Sequence, residues 1–327
     1  MKKSVKISLI ISGALIISGL LILFGALWTV SFDISKLDYT SYNTVNYKAT
    51  VYDVDYDFTD IYIEEPSLDI TFEETEDNSA YVRTYAYEDV QHQVYVENNK
   101  LYIKRAKNDN VVRIFGINIP SEPQKLTVCL PQKTYNNVTI NCASSEVTIF
   151  EMKNIAFENL EANSTSGDVG VFGCITDTVK VDTTSGTVTV LVCPVKFIDL
   201  STTSGNIDIK KVSGSESIKA KTTSGNLYMW LTDCNSLSVE SVSGEIDLID
   251  VTVSSLLNAQ STSGDINLEN SDANELYIKT TSGDVEGHLL SKKTFVVDTT
   301  SGSVEVPQTY SNSKCEVHTV SGDVEFK

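Results

Sequence analysis

Through the second half of the chain, apolar and polar positions alternate in a unit that recurs every 19 or 20 residues. Each unit sets apolar residues seven and five positions before a Ser-Gly dipeptide, counted from the glycine. A Ser or Thr stands three before the glycine, and apolar residues return two and four after it. The unit at Gly302 reads Phe295, Val297 and Thr299, then Val304 and Val306. The unit at Gly244 reads Leu237, Val239 and Ser241, then Ile246 and Leu248. Strict period-two alternation rich in β-branched residues predicts two short strands per unit, joined at the Ser-Gly corner. A repeat this short cannot bury its own apolar face, so the units must stack. The pattern therefore predicts an all-β fold, a parallel β-solenoid with one unit per coil. It places Val297, Val304, Ile246 and Leu248 inward and Glu305 and Asp247 outward. The Ser or Thr three before the glycine should line up inside as a hydroxyl ladder.

The corner glycines are Gly167, Gly186, Gly205, Gly225, Gly244, Gly264, Gly283, Gly302 and Gly322. Their expected role is a sharp corner at positive φ, which glycine adopts without a Cβ penalty. The next position is mostly a short polar residue, such as Asp168, Asn206, Asn226 or Asp265, suited to bonding nearby backbone. Upstream, Val138, Ile140, Cys142, Val147 and Ile149 fit the same template with Ser145 in the glycine's place. The regular solenoid is accordingly expected over 125–327. Residues 45–124 read as a β-rich N-terminal cap or irregular coils, with a loop from Ala106 to Pro123.

At the front, Ile7 to Val30 runs for 24 residues without a charge, after Lys2, Lys3 and Lys6. A bilayer-spanning helix needs about 20 such residues, whereas the apolar region of a cleaved signal peptide is usually about 7 to 15. Gly25-Ala26-Leu27-Trp28 offers no clean cleavage box. The expectation is an uncleaved signal anchor over 7–30, with a cytoplasmic tail at 1–6 and a juxtamembrane linker at 31–44. The flanking lysines hold the N-terminus in the cytoplasm, so the solenoid lies extracytoplasmic on a single-pass membrane protein.

Charge narrows the partners. Without the three N-terminal lysines, 22 basic residues face 44 acidic ones, about −22 on the exported part. All three arginines, Arg83, Arg105 and Arg113, precede the regular repeat. Such a surface excludes nucleic acid and favours cations or basic peptides. Of the six cysteines, Cys174 and Cys193 each fall seven residues after a corner glycine, as neighbours on consecutive coils. They are candidates for a disulfide; the other reading is that cysteine fills the core as a small apolar residue. No C-x-x-C or C-x-H spacing indicates zinc, and no cofactor is implied.

Long β-solenoids include polysaccharide-active enzymes, whose sites need convergent carboxylates in a cleft walled by loops. Here Asp208, Asp247, Glu286, Glu305 and Glu325 form an acidic stripe three after the glycine, a weak cation site or simply a solvated face. The connections between coils are too short to wall a substrate, so the expectation is a non-enzyme with no catalytic residues. Outward threonines such as Thr184, Thr203 and Thr223 raise ice binding. The parallel column of Asn163, Asp182, Ser201, Lys221 and Glu240 is too charged and mixed for that.

The serial T-T-S-G-D-V, T-T-S-G-N-I and V-S-G-D-V corners follow K-L-Y-I-K and L-T-V-C-L-P segments and a single N-terminal apolar span. In these features the chain resembles the putative-adhesin family of bacterial envelope proteins, related to the auto-transporter adhesin head domain, over roughly residues 45–327. The resemblance implies a right-handed, single-stranded β-helix and an envelope role. Some members of that family take part in envelope-stress and antimicrobial-peptide responses, and none brings catalytic residues to carry over. The expected function is thus a binding or scaffolding module of the cell envelope. Its partners would be envelope proteins, cell-surface ligands or cationic peptides. The alternatives are a stress-response component acting through a membrane partner and a polysaccharide-active β-helix enzyme.

Overall fold

The computed structural model describes residues 47–88, 90–106 and 124–327. The expected anchor at 7–30, its flanking tail and linker, and most of the Ala106–Pro123 loop lie outside the described residues. Among the described residues every regular element is a strand.

The strands before the Ser-Gly corners stack parallel and in register on one another, and so do the strands after them. Ala156–Ser164 pairs with Ile175–Thr183, and that strand with Val195–Thr202, always with equivalent residues opposed. Val169–Phe172, Val188–Leu191 and Ile207–Lys210 form the matching ladder beyond the corner. Inward positions are sealed: Val181, Val188, Ile207, Leu227, Ile246 and Leu248 are fully buried. The coil at Ser145 is present as expected, with Ser145 buried at the corner.

From the Ser145 coil to the Gly264 coil, the alternation after the corner ends at a second bend that the sequence pattern does not mark. Six residues past the corner residue, Glu151, Gly173, Val192, Lys211, Leu231, Asp250 and Asn270 all have positive φ, between 49° and 61°. This left-handed column turns the chain into the long strand of the next coil. Glycine occupies it once. For Val192 and Leu231, a β-branched and a bulky residue, this backbone is an outlier that costs about 1–2 kcal/mol.

Residues 60–74, expected in the cap or irregular coils, form a coil of their own. Asp60–Glu65 stacks on Thr134–Cys142 and Asp69–Glu74 on Val147–Phe150, with Leu68 buried where other coils carry glycine. Beyond it the edge is closed by antiparallel strands. His92–Glu97 covers Lys100–Arg105, while Ala80–Tyr87 joins Lys125–Leu130 to Tyr47–Val54. The exposed edge of a parallel stack is a template for unwanted pairing, and reversing strand direction ends the template. Large aromatics fill this end: Tyr135 lies 5.8 Å from Phe58 and 6.2 Å from Phe157.

At the far end the stacking order departs from chain order. Lys314–His318 lies between Glu275–Lys279 and Thr294–Asp298, pairing with both. Val324–Phe326 likewise separates Val285–Gly287 from Val304–Glu305. The coil at Gly322 is therefore inserted between those of Gly283 and Gly302, and the Gly302 coil becomes the outermost. This corrects the burial expected at Val304, which is 46% exposed, and at Val297, which is only partly buried. They point inward on a coil that, among the described residues, has no further coil above it. Beneath this end Lys293 is buried, its ammonium 2.7 Å from Asp272 Oδ1 and donating to Ser291 Oγ at 2.9 Å.

Candidate functional site

The corner column shows what the repeat builds. In every Ser-Gly coil the Ser or Thr three before the glycine accepts a hydrogen bond from the glycine amide, at 3.0 Å for Gly225 with Thr222 and 2.9 Å for Gly244 with Ser241. Several of these hydroxyls donate onward to the glycine carbonyl of the coil below, as Thr202 does to Gly186 O at 3.2 Å and Thr222 to Gly205 O at 3.1 Å. The expected hydroxyl ladder is present, buried from Thr183 to Thr280 and at Thr319, and half-buried at Ser164 and Thr299. None of the nine corner glycines has positive φ, which corrects the conformational reason expected for them. Their requirement is space. A Cβ at Gly205, Gly225 or Gly244 would stand 1.8 Å from the carbonyl oxygen of the glycine below. The residue after the glycine bonds not its own turn but the next coil: Asp168 Oδ1 accepts from Thr187 N at 2.7 Å and Asp265 Oδ1 from Asp284 N at 2.8 Å.

Cys174 and Cys193 are adjacent in the stack, buried and unbridged, and all six cysteines are free. Their thiols share a hydrogen-bonding pattern with hydroxyl residues of the same column. Cys174 Sγ donates to Phe172 O and Cys193 Sγ to Leu191 O, both at 3.3 Å, while Thr232 Oγ1 donates to Trp230 O and Ser271 Oγ to Glu269 O. Each bond closes over the left-handed corner onto a carbonyl two residues back. Burial pushes the Cys174 thiol up to about 12, which keeps it protonated and unreactive.

The outward positions of the post-corner sheet make a continuous face of two columns. In the column five past the glycine, Phe150, Phe172, Leu191, Lys210, Trp230 and Ile249 follow one another in register. Phe150 is 57% exposed, with its ring 6.1 Å from that of Phe172. Exposed Val192 and Leu231, from the left-handed corner, widen the apolar strip. The Lys210 and Lys211 ammonium groups lie over the Tyr228 and Trp230 rings at 4.9 and 5.2 Å, cation–π contacts that set charge on the aromatic part of the face.

The neighbouring column is the acidic stripe, and the structure decides which of its members meet. Asp208 is held by Lys210 at 3.2 Å. Further along, Asp247, Asn267, Glu286, Glu325 and Glu305 are consecutive, with Glu325 placed between Glu286 and Glu305 by the inserted coil. The Asp247 carboxylate beside Glu245, with partial burial, raises the pKa of Glu245. Among the described residues no cluster of His, Cys, Asp and Glu is arranged to hold a metal ion.

A buried ionic group at the capped end escaped the sequence reading. Glu65 occupies the hydroxyl's place in the Leu68 coil and accepts from Leu68 N at 3.0 Å and Ser67 N at 2.9 Å. Its other oxygen lies 2.5 Å from His92 Nε2, and Arg105 Nη1 donates to Oε1 at 3.0 Å. Burial opposes the charge of Glu65, but the His92 bond and the two amides outweigh it and lower its pKa. This group ties the antiparallel cap to the first coil. The available signal was positional: a Glu three residues before a buried corner, where other coils carry Ser or Thr.

A family model described as Toastrack DUF4097 matches residues 58–256 and again 216–327. In fold the chain is similar to a putative adhesin from Parabacteroides merdae ATCC 43184, with a TM-score of 0.53 at 12% identity over 75% of this chain and 97% of that one. A putative adhesin from Parabacteroides distasonis ATCC 8503 aligns with a TM-score of 0.48 at 13% identity, over 84% of this chain and 97% of that one. No curated protein matches the chain.

Proposed function

The chain belongs to the Toastrack DUF4097 family, and we propose that it is a non-enzymatic, adhesin-like binding or scaffolding module of the bacterial cell envelope. The observation that carries this reading is the outward ladder from Phe150 to Ile249, apolar at every position but Lys210, with exposed Phe150, Val192 and Leu231. Contiguous exposed apolar surface rimmed by charge marks interaction sites, and aromatic anchors dominate their energetics. The strip lies on a sheet whose coils are locked by backbone ladders and corner hydroxyls, so it meets a partner already ordered. The putative adhesin of like fold from Parabacteroides merdae supports the same reading.

The uncharged run Ile7 to Val30 behind Lys2, Lys3 and Lys6 supports a single-pass anchor, N-terminus inside and solenoid outside. The envelope protein or cell-surface ligand is then met at the membrane's outer side. Further along the same face, on coils beyond the strip, the consecutive Glu286, Glu325 and Glu305 favour a basic region on that partner, including a cationic peptide. A stress-response component acting through a membrane partner would use the same face. The test is capture of envelope fractions by residues 47–327, compared with Phe150→Ser and Trp230→Ser variants of unchanged melting temperature. Loss of capture in the variants supports the strip as the site; equal capture refutes it. Turnover of envelope polysaccharide by the same fragment would overturn the non-enzymatic reading.

A further inference from the structure

The inserted Gly322 coil separates two coils that adjoin it in stacking but not in sequence. Among the described residues, Thr294–Asp298 and Val304–Glu305 have no strand partners except Lys314–His318 and Val324–Glu325. The Gly283 coil meets the same segment from the other side. Residues 314–327 thus fill a slot whose two walls are both unpaired without them.

The slot is shaped for this segment. Four positions past the corner, the other coils below it carry Ile149, Val171, Val190, Ile209, Met229, Leu248 and Leu268, but the Gly283 coil carries Gly287. A Cβ at Gly287 would stand 2.4 Å from the Phe326 ring, which is buried there and lies 5.1 Å from Phe295 on the opposite wall. The corner bonds also continue through the insert: Asp323 N donates to Asp284 Oδ1 at 2.8 Å, and Ser303 N to Asp323 Oδ1 at 2.7 Å. With the coils in chain order, Val306 would face Gly287 and leave the space of the ring unfilled.

The segment hangs on Pro307–Ser313, where Tyr310 is 95% exposed. The loop is tied back chiefly through Thr294 Oγ1 and Lys293 O, which Ser311 and Thr309 engage. Extended at about 3.3 Å per residue, these seven residues span roughly 23 Å, enough to reach a neighbouring molecule.

We infer that this slot is an acceptor site for residues 314–327 of a second copy of the chain, so that two copies exchange their inserted coils and become a dimer. Every contact within the slot is the same whether the segment comes from its own molecule or from the partner. The balance is therefore set by concentration and by the hinge, the condition under which exchange of an identical element is a low-cost route to dimers. Copies confined to one membrane meet at high local concentration, which favours the exchanged state.

The experiment uses the full chain in two differently tagged, co-expressed forms, one with Glu286→Cys and one with Glu325→Cys. These positions are register partners across the slot, at the strand spacing of about 4.8 Å that a disulfide spans. Exchange predicts a disulfide-linked pair carrying both tags, absent when either variant is paired with the unaltered chain. Deleting Gln308 and Asn312 to shorten the hinge should raise its yield several-fold. The double variant in one chain must close internally when monomeric, which shows the slot order. If it closes but the mixed single variants never cross-link, even with the short hinge, the exchange is overturned. If Glu286→Cys instead closes with Glu305→Cys, the coils stack in chain order and the slot does not exist.

Discussion

Replacing Gly244 by Ala tests why the repeat carries glycine at every corner. The added Cβ would lie 1.8 Å from Gly225 O and 2.4 Å from Gly225 C. That oxygen distance is roughly 1.6 Å short of ordinary contact, and both atoms are backbone, so the two coils must part. Parting them strains the bonds from Ser243 N to Thr223 O at 3.0 Å, Leu227 N to Glu245 O at 2.9 Å, Glu245 N to Asn226 Oδ1 at 3.1 Å and Ser241 Oγ to Gly225 O at 3.4 Å. At about 1 kcal/mol for each bond the expected loss is about 3–4 kcal/mol. Gly214→Ala is the matched control, because Gly214 has φ of 74° and nothing within 4 Å of the added atom. Its cost is conformational alone, about 1 kcal/mol. Urea unfolding of residues 47–327, with hydrogen exchange to locate the damage, measures both. The loss at Gly244 should fall on the Gly225 and Gly244 coils, since coils interact mainly with neighbours. Equal losses for the two variants would refute the close-approach argument and return the corner to a question of φ.

Val192→Asn and Leu231→Gly relieve side chains held in the left-handed region and should each stabilise by about 1 kcal/mol, read as a raised melting temperature. Glu65→Ala strands His92 and Arg105 beside an empty buried site and should cost about 3–5 kcal/mol in urea unfolding. Because the folded pKa of Glu65 is lowered, its contribution is fully present above its unfolded value and is lost as pH falls through the folded one. Stability should therefore drop on acidification below about pH 4.5 in the native protein, and less in Glu65→Gln. Burial pushes the Cys174, Cys234 and Cys315 thiols up to about 12, so a thiol-labelling reagent at pH 8 should leave them unmodified until the chain is unfolded. Cys174→Ser, which can keep the bond to Phe172 O, should fold with little loss.

The coil was legible in the residues because period-two alternation and a recurring Ser-Gly state a local rule, repeated until chance is excluded. The inward Val and Ile, the hydroxyl ladder and the Ser145 coil all follow from that rule, since a parallel in-register stack copies each column from one coil to the next. Other features were set by what lies above or below a residue, which no single repeat records. The Gly244 backbone is ordinary by itself, and glycine is needed only because the carbonyl of Gly225 lies beneath it. The left-handed corner at Val192 and Leu231 carries no glycine signal, because the ladder on either side holds the backbone against local preference. Cys174 and Cys193 were placed as neighbours by spacing, but their thiols turn to carbonyls two residues back, a direction only the bent corner defines. Chain order suggested that Glu286, Glu305 and Glu325 follow one another. Stacking order puts Glu325 in the middle, because Phe326 fills the volume that Gly287 leaves open. Local alternation thus determined which side of a strand each residue faces. Contacts along the stack decided which coil it meets, because equivalent edges accept one another in any order until a side-chain volume breaks the tie.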